Sequence, residues 1–113
     1  MLGDQSVLTG VSLQTRYVKD THGFVLHWLG ESAKAGKPWV VTNDEQDLGS
    51  TGTSPDPGYG GYEQQEGPSI HTIRKQALWG TLMAGGAGIE YYFGCKHPPD
   101  DLHCEDWLSR SLT

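Results

Sequence analysis

Asp44 and Glu45 are adjacent carboxylates that follow a short apolar run, Trp39-Val40-Val41-Thr42, with Asn43 between. Carboxylates can serve as general acids, general bases or nucleophiles. A third, Glu90, lies inside a second apolar run, Ile89 to Phe93. Burying a carboxylate is costly unless it is paired or hydrogen-bonded, so Glu90 is expected to find Arg74, Lys75 or a tyrosine hydroxyl. Cys95, His97, His103 and Cys104 place four metal-ligating side chains within ten residues. Their C-x-H-x5-H-C spacing lacks the close pairs of structural zinc sites, so no metal is expected there. Asp47, Asp56 and Glu63 lack the regular spacing of a calcium loop, and no cofactor is indicated. His71 and Arg74, at i and i+3, share one side of a helix start and could orient groups at a strand end.

The elements that must hold these residues alternate. Val7, Leu8, Val11 and Leu13 suit a short strand over residues 7–14. A helix follows, with Thr21 as its N-cap, a Val25, Trp28, Leu29 and Ala33 stripe, and Gly36 before Pro38 as its stop. Trp39 to Thr42 reads as a β-branched strand, so Asn43-Asp44-Glu45 fall just past its C-terminal end. Residues 46–68 hold six glycines and three prolines. A loop of that length is usually functional or mobile. Ser69 caps a second helix that begins its apolar face at Ile70 and Ile73. Its last turns are apolar on nearly every side (Ala77, Leu78, Trp79, Leu82, Met83, Ala84), which predicts a buried helix. Gly85-Gly86 break it, and Ile89 to Phe93 form a last, buried strand. Strand, helix, strand, loop, helix, strand predicts an α/β protein with parallel strands joined by right-handed crossovers.

The chain has 113 residues, a formal charge of −6, eight scattered Lys and Arg, and 35% hydrophobic residues. Nucleic-acid affinity rests on clustered basic residues, so such a partner is not expected. No stretch approaches the ~20 apolar residues of a membrane helix, and the polar Met1-Leu-Gly-Asp-Gln opening is not a signal peptide. Cys95 and Cys104 could pair across Pro98-Pro99 or remain free thiols. The apolar content is small for a free-standing core.

Three segments carry a family resemblance: Lys37 to Glu45 (KPWVVTNDE), Arg74 to Gly94 (RKQALWGTLMAGGAGIEYYFG) and Asp101 to Trp107 (DLHCEDW). Together they resemble bacterial, largely secreted cellulase-like proteins, glycoside-hydrolase-like (β/α)8 barrels often preceded by an immunoglobulin-like domain. The likeness runs from about Ser12 to Arg110; Cys95, Leu108 and Ser111 depart from the family's pattern. It implies that residues 1–113 are a single partial domain, the C-terminal portion of a ~250-residue barrel, with about its last three strands and two helices. The parent would be secreted or periplasmic. In retaining barrel glycosidases the nucleophile is typically a Glu ending the seventh strand, the position Glu45 takes by this count, with Asp44 as neighbour or substitute. Flat aromatic faces suit pyranose rings, which makes Tyr59, Tyr62, Tyr92 and Trp107 substrate-binding candidates, together with Glu90; core packing claims at least two of Tyr91, Tyr92, Phe93 and Trp107.

The resemblance implies a carbohydrate substrate and a proton donor on an earlier strand. One carboxylate cannot both attack the sugar and protonate the leaving group, so the chain alone is expected to be inactive. Its partner would be the remainder of the barrel, or a second copy joined through open sheet edges. A non-catalytic carbohydrate-binding or cell-surface interaction protein is the alternative, and a stand-alone α/β domain of unrelated role is a third.

Overall fold

The computed structural model describes residues 2–46 and 68–91. Among these, three strands form one sheet in the order β1-β2-β3: β1 Gly10–Thr15, β2 Val40–Gln46 and β3 Gly88–Ile89. Both pairings are parallel. The protein is therefore mixed α/β, as the alternation predicts. Tyr59, Tyr62, Tyr92, Phe93, Trp107, Asp47, Asp56, Glu63 and the Cys95, His97, His103, Cys104 group lie outside the described residues.

Helix α1 (Thr21–Lys34) follows a single 3-10 turn at Val18–Asp20. Thr21 is not the N-cap. Asp20 holds that place without a side-chain cap bond, and the Thr21 hydroxyl turns inward to Thr15 Oγ1 at 3.1 Å. Val25 of the predicted stripe is fully buried, Trp28 and Leu29 are partly so, and Ala33 is exposed. Ser32 takes the buried place at that end: its hydroxyl donates to the Leu29 carbonyl and accepts from the Trp39 amide, each at 3.1 Å.

The glycine stops work as expected. At Gly36 (φ 89°) the Gly36 amide bonds to the Ala33 carbonyl and the Lys37 amide to Ser32. This pair of bonds is the Schellman arrangement, which needs a left-handed residue past the helix end. Gly85 (φ 91°) repeats it, with Gly85 bonded to Leu82 and Gly86 to Thr81.

The second helical run is continuous in three pieces: α2 Ile70–Thr72, a π-helical segment Ile73–Leu78, and α3 Trp79–Met83. Ile73, Ala77, Thr81 and Ala84 form its buried face. The expectation of a helix buried all round is overturned. Trp79 is 54% exposed, Met83 75% and Leu82 40%, because α1 and the sheet cover only one side.

One core cluster joins Leu13, Val25, Trp39, Val41 and Ala84; Trp28 packs on it, stacked 6.0 Å from Trp39. A second joins Val18, Ile73 and Ala77, with Ile89 and Tyr91 against it. Both helical runs thus lie on one face of the sheet. The opposite face carries Gly10, Ser12, Gln14, Val40 and Thr42, of which Val40 is 58% exposed.

All three strand boundaries differ from expectation. β1 runs over Gly10–Thr15 instead of residues 7–14: Gly10 starts the strand instead of breaking it, and Val7 and Leu8 lie outside it and are exposed, so they add nothing to the core. β2 does not end at Thr42 but continues through Asn43, Asp44 and Glu45 to Gln46, because Asn43, Glu45 and Gln46 keep pairing with β1. β3 consists of Gly88 and Ile89, opposite Thr42 and Asn43, so it starts one residue before the expected Ile89 to Phe93 strand, and Glu90 and Tyr91 lie past its end because the ladder to β2 stops at Asn43.

Candidate functional site

The C-terminal ends of the three strands bring together the residues that carry chemistry. In β2, Val41 and Asn43 alternate onto the helix-covered face, as do their β1 partners Val11 and Leu13. The pairing then slips by one residue. Leu13 faces Asn43, but Gln14 faces Glu45 and Thr15 faces Gln46. Asp44 is the extra residue of a β-bulge. Bulges re-aim side chains and often lie beside active sites. Here the bulge carries Glu45 onto the open face with Gln14 and Thr42, and turns Gln46 onto the buried one.

Beneath the bulge lies a polar network. The Asn43 side-chain amide donates to the Leu13 carbonyl and to Thr15 Oγ1, both at 3.1 Å. Gln46 Nε2 donates to Asn43 Oδ1 at 2.7 Å and to the Glu90 carbonyl at 2.6 Å. Thr15, Thr21, Asn43 and Gln46 are all essentially inaccessible to solvent. Buried polar groups of this kind are tolerated because each is hydrogen-bonded, and a satisfied network specifies one arrangement. It joins β1 to β2 and reaches the chain just past β3.

Glu90 sits one residue past β3, and its amide donates to the Asn43 carbonyl at 2.9 Å. Ile89 pairs with Asn43 and packs on the covered face, so Glu90 alternates onto the open face beside β2. It is exposed. The expectation that Glu90 is buried and paired with Arg74, Lys75 or a tyrosine hydroxyl is therefore corrected; no such bond forms among the described residues. The physical reason is its face, which solvent reaches. Tyr91, next in the alternation, packs against the second core cluster.

Glu45 and Asp44 are partly buried, and one Asp44 oxygen, Oδ1, is enclosed without a hydrogen-bond partner. Among the described residues the single ion pair is Lys34–Glu31 on α1, far along the chain from the strand ends. Arg16 and Lys19, which follow β1 at the same end of the sheet, lie over the Tyr17 ring at 5.4 and 5.8 Å and not against a carboxylate. No group of three or more Asp, Glu, His or Cys side chains among the described residues is arranged to hold a metal ion. No described helix is long and apolar enough to cross a membrane. His71 is exposed, Arg74 is partly buried, and neither reaches a strand end by a hydrogen bond.

The structure thus gathers Asp44, Glu45 and Glu90, which the sequence singles out on separate segments. It adds Thr15, Asn43 and Gln46, which the sequence reading passes over. In the sequence they stand among polar neighbours (Gln14 and Arg16, Thr42 and Asp44, Glu45 and Asp47), so their inward role has no local signal. It becomes readable only once the register places them inward. No family profile, curated protein or solved structure matches the chain.

Proposed function

We propose that this chain is an arc of a (β/α)8 glycoside-hydrolase-like barrel whose parent cleaves glycosidic bonds in a poly- or oligosaccharide with retention of configuration. The observation that carries the reading is the position of Glu45. It stands at the C-terminal end of the middle strand of a parallel sheet, on the face opposite the helices. In a (β/α)8 barrel the helices lie outside, and chemistry is done at the C-terminal strand ends. Sequential strand order and helices on one face are also what a barrel wall requires.

In this reading the Glu45 carboxylate attacks the anomeric carbon and forms a glycosyl ester as the glycosidic oxygen leaves. An acid on another strand of the parent gives that oxygen its proton. Water activated by the same group then hydrolyses the ester. Glu90, on the adjacent strand and the same face, is suited to accept sugar hydroxyl hydrogen bonds. Asp44 is the carboxylate to test if Glu45 proves dispensable.

The test uses the complete parent protein. Glu45→Gln keeps the shape and removes the attacking charge, so turnover should collapse while sugar binding survives. A fluorinated glycoside that traps the covalent intermediate should label Glu45. Hydrolysis within a few-fold of the parent in the Gln variant refutes the assignment and favours a carbohydrate-binding protein without chemistry.

A further inference from the structure

We infer that Gln46, acting with Asn43, is the positioning residue that decides which face of the sheet residue 45 occupies and fixes the β3 end that carries Glu90. Its catalytic meaning rests on the proposed role of Glu45; its structural content does not.

In an unbulged strand, Val41, Asn43 and Glu45 would share the helix-covered face, because side chains alternate with a period of two. A one-residue shift of register moves every later side chain to the other face. Something must therefore hold the extra residue in place. Gln46 does so from below. It is wholly buried, and its amide is committed to Asn43 Oδ1 and to the Glu90 carbonyl. Undoing the bulge would send Gln46 to solvent and break both bonds. It would also push the Glu45 carboxylate toward Thr15 and Thr21, whose hydroxyls are already bonded to each other, where an unpaired charge is strongly disfavoured. The same side chain ties the chain just past β3 to β2. One buried amide thereby sets the placement of two carboxylates on two strands.

The experiment uses the full chain with Glu45→Cys in a Cys95→Ser, Cys104→Ser background. The only thiol is then at position 45. A cysteine has no charge to keep it in water, so its face is decided by residue 46. Labelling by a small polar thiol reagent reports the face, and amide exchange at Glu90 reports the tether.

With Gln46 present, the thiol on the open face should label at a readily measured rate. Gln46→Leu should keep that rate, since leucine also prefers the buried face, while Glu90 amide exchange rises by about tenfold or more. Gln46→Lys should favour the slipped register and slow labelling by about tenfold or more in protein that retains its circular dichroism spectrum. Deleting Asp44 removes the extra residue but leaves position 45 opposite Gln14 and Gln46 buried, so labelling should be unchanged. Unchanged labelling in folded Gln46→Lys protein overturns the inference, as does loss of labelling on deleting Asp44. If Gln46→Lys does not fold, the Asp44 deletion and the Gln46→Leu exchange result decide. None of these readouts requires hydrolysis, so a catalytically inert parent would refute the proposed function and leave this result standing.

Discussion

Asn43 and Thr42 are neighbours in β2 on opposite faces, and truncating each to alanine should have very different consequences. Asn43 is wholly buried and takes part in three hydrogen bonds, to Leu13, Thr15 and Gln46. At about 1 kcal/mol net for each bond, Asn43→Ala should cost roughly 3 kcal/mol, with more added for the Leu13 carbonyl and the Gln46 amide left short of partners. Thr42 is partly exposed and its side chain makes one long bond, 3.3 Å, to Ser12 on the open face. Thr42→Ala should stay within about 0.5 kcal/mol, as surface changes usually do. For a small domain about 1 kcal/mol corresponds to roughly 4–8 °C in melting temperature. Thermal unfolding followed by circular dichroism should thus show a drop of at least ~12 °C for Asn43→Ala and a few degrees or less for Thr42→Ala. If Asn43→Ala does not fold at all, Thr15→Ala, which removes the bonds to Asn43 and Thr21, gives a milder reading of the same network. Equal losses at positions 42 and 43 would refute the assignment of faces.

Four further outcomes are expected. A Cβ at Gly86 would come within 2.6 Å of Thr81 Cγ2 and 3.1 Å of Val25 Cγ1, so Gly86→Ala should destabilise by about 1–3 kcal/mol in urea unfolding. Gly30 sits mid-helix with open space around it, so Gly30→Ala should stabilise by about 0.5–1 kcal/mol, whereas Gly36→Ala, at φ 89°, should destabilise by about 1 kcal/mol or more. The hydrogen bond from Lys34, and then its charge, hold the Glu31 carboxyl below its ordinary range. A carboxylate with a lowered folded value contributes stability above its unfolded value, lost as pH falls through the folded one; NMR titration should find Glu31 low, and Lys34→Ala should return it to normal. β1 and β3 are each hydrogen-bonded on one side only among the described strands, so light scattering should show self-association that weakens when exposed Ser12 of edge strand β1 is replaced by Lys.

The sequence revealed most where a single residue type dictates geometry. Gly36 and Gly85 end their helices in the left-handed conformation that the stops predict. The strand–helix alternation likewise gives the parallel sheet. What depends on two strands meeting was not legible. Nothing in Asn43-Asp44-Glu45-Gln46 says that the strand continues through them, since a turn is an equally good local reading of Asn-Asp. The bulge arises from pairing with Leu13 and Gln14, and the inward place of Gln46 follows from the bulge. Glu90 departs from expectation for a related reason. Apolar neighbours argue for a buried strand, yet alternation puts Ile89 and Tyr91 inward and leaves the carboxylate outside. Trp79 and Met83 show the limit of composition: apolar residues on every side of a helix do not supply something to cover every side.

The π-helical segment at Ile73–Leu78 works as a phase shifter. Its hydrogen bonds span one residue more than those of an α-helix, and each residue of an α-helix turns the axis view by about 100°. A slack residue in mid-helix therefore rotates everything after it relative to everything before. Ile73 and Ala77, within the segment, join the cluster of Val18, Ile89 and Tyr91, while Ala84, just past α3, joins that of Leu13, Val25, Trp39 and Val41. Ile73, Ala77, Thr81 and Ala84 follow one another at spacings of four, four and three, so the wider turn lets one buried face serve both clusters. Deleting one residue between Ala77 and Thr81 would turn Thr81 and Ala84 by about 100° relative to Ile73 and Ala77, so the two clusters could no longer both be filled from this run.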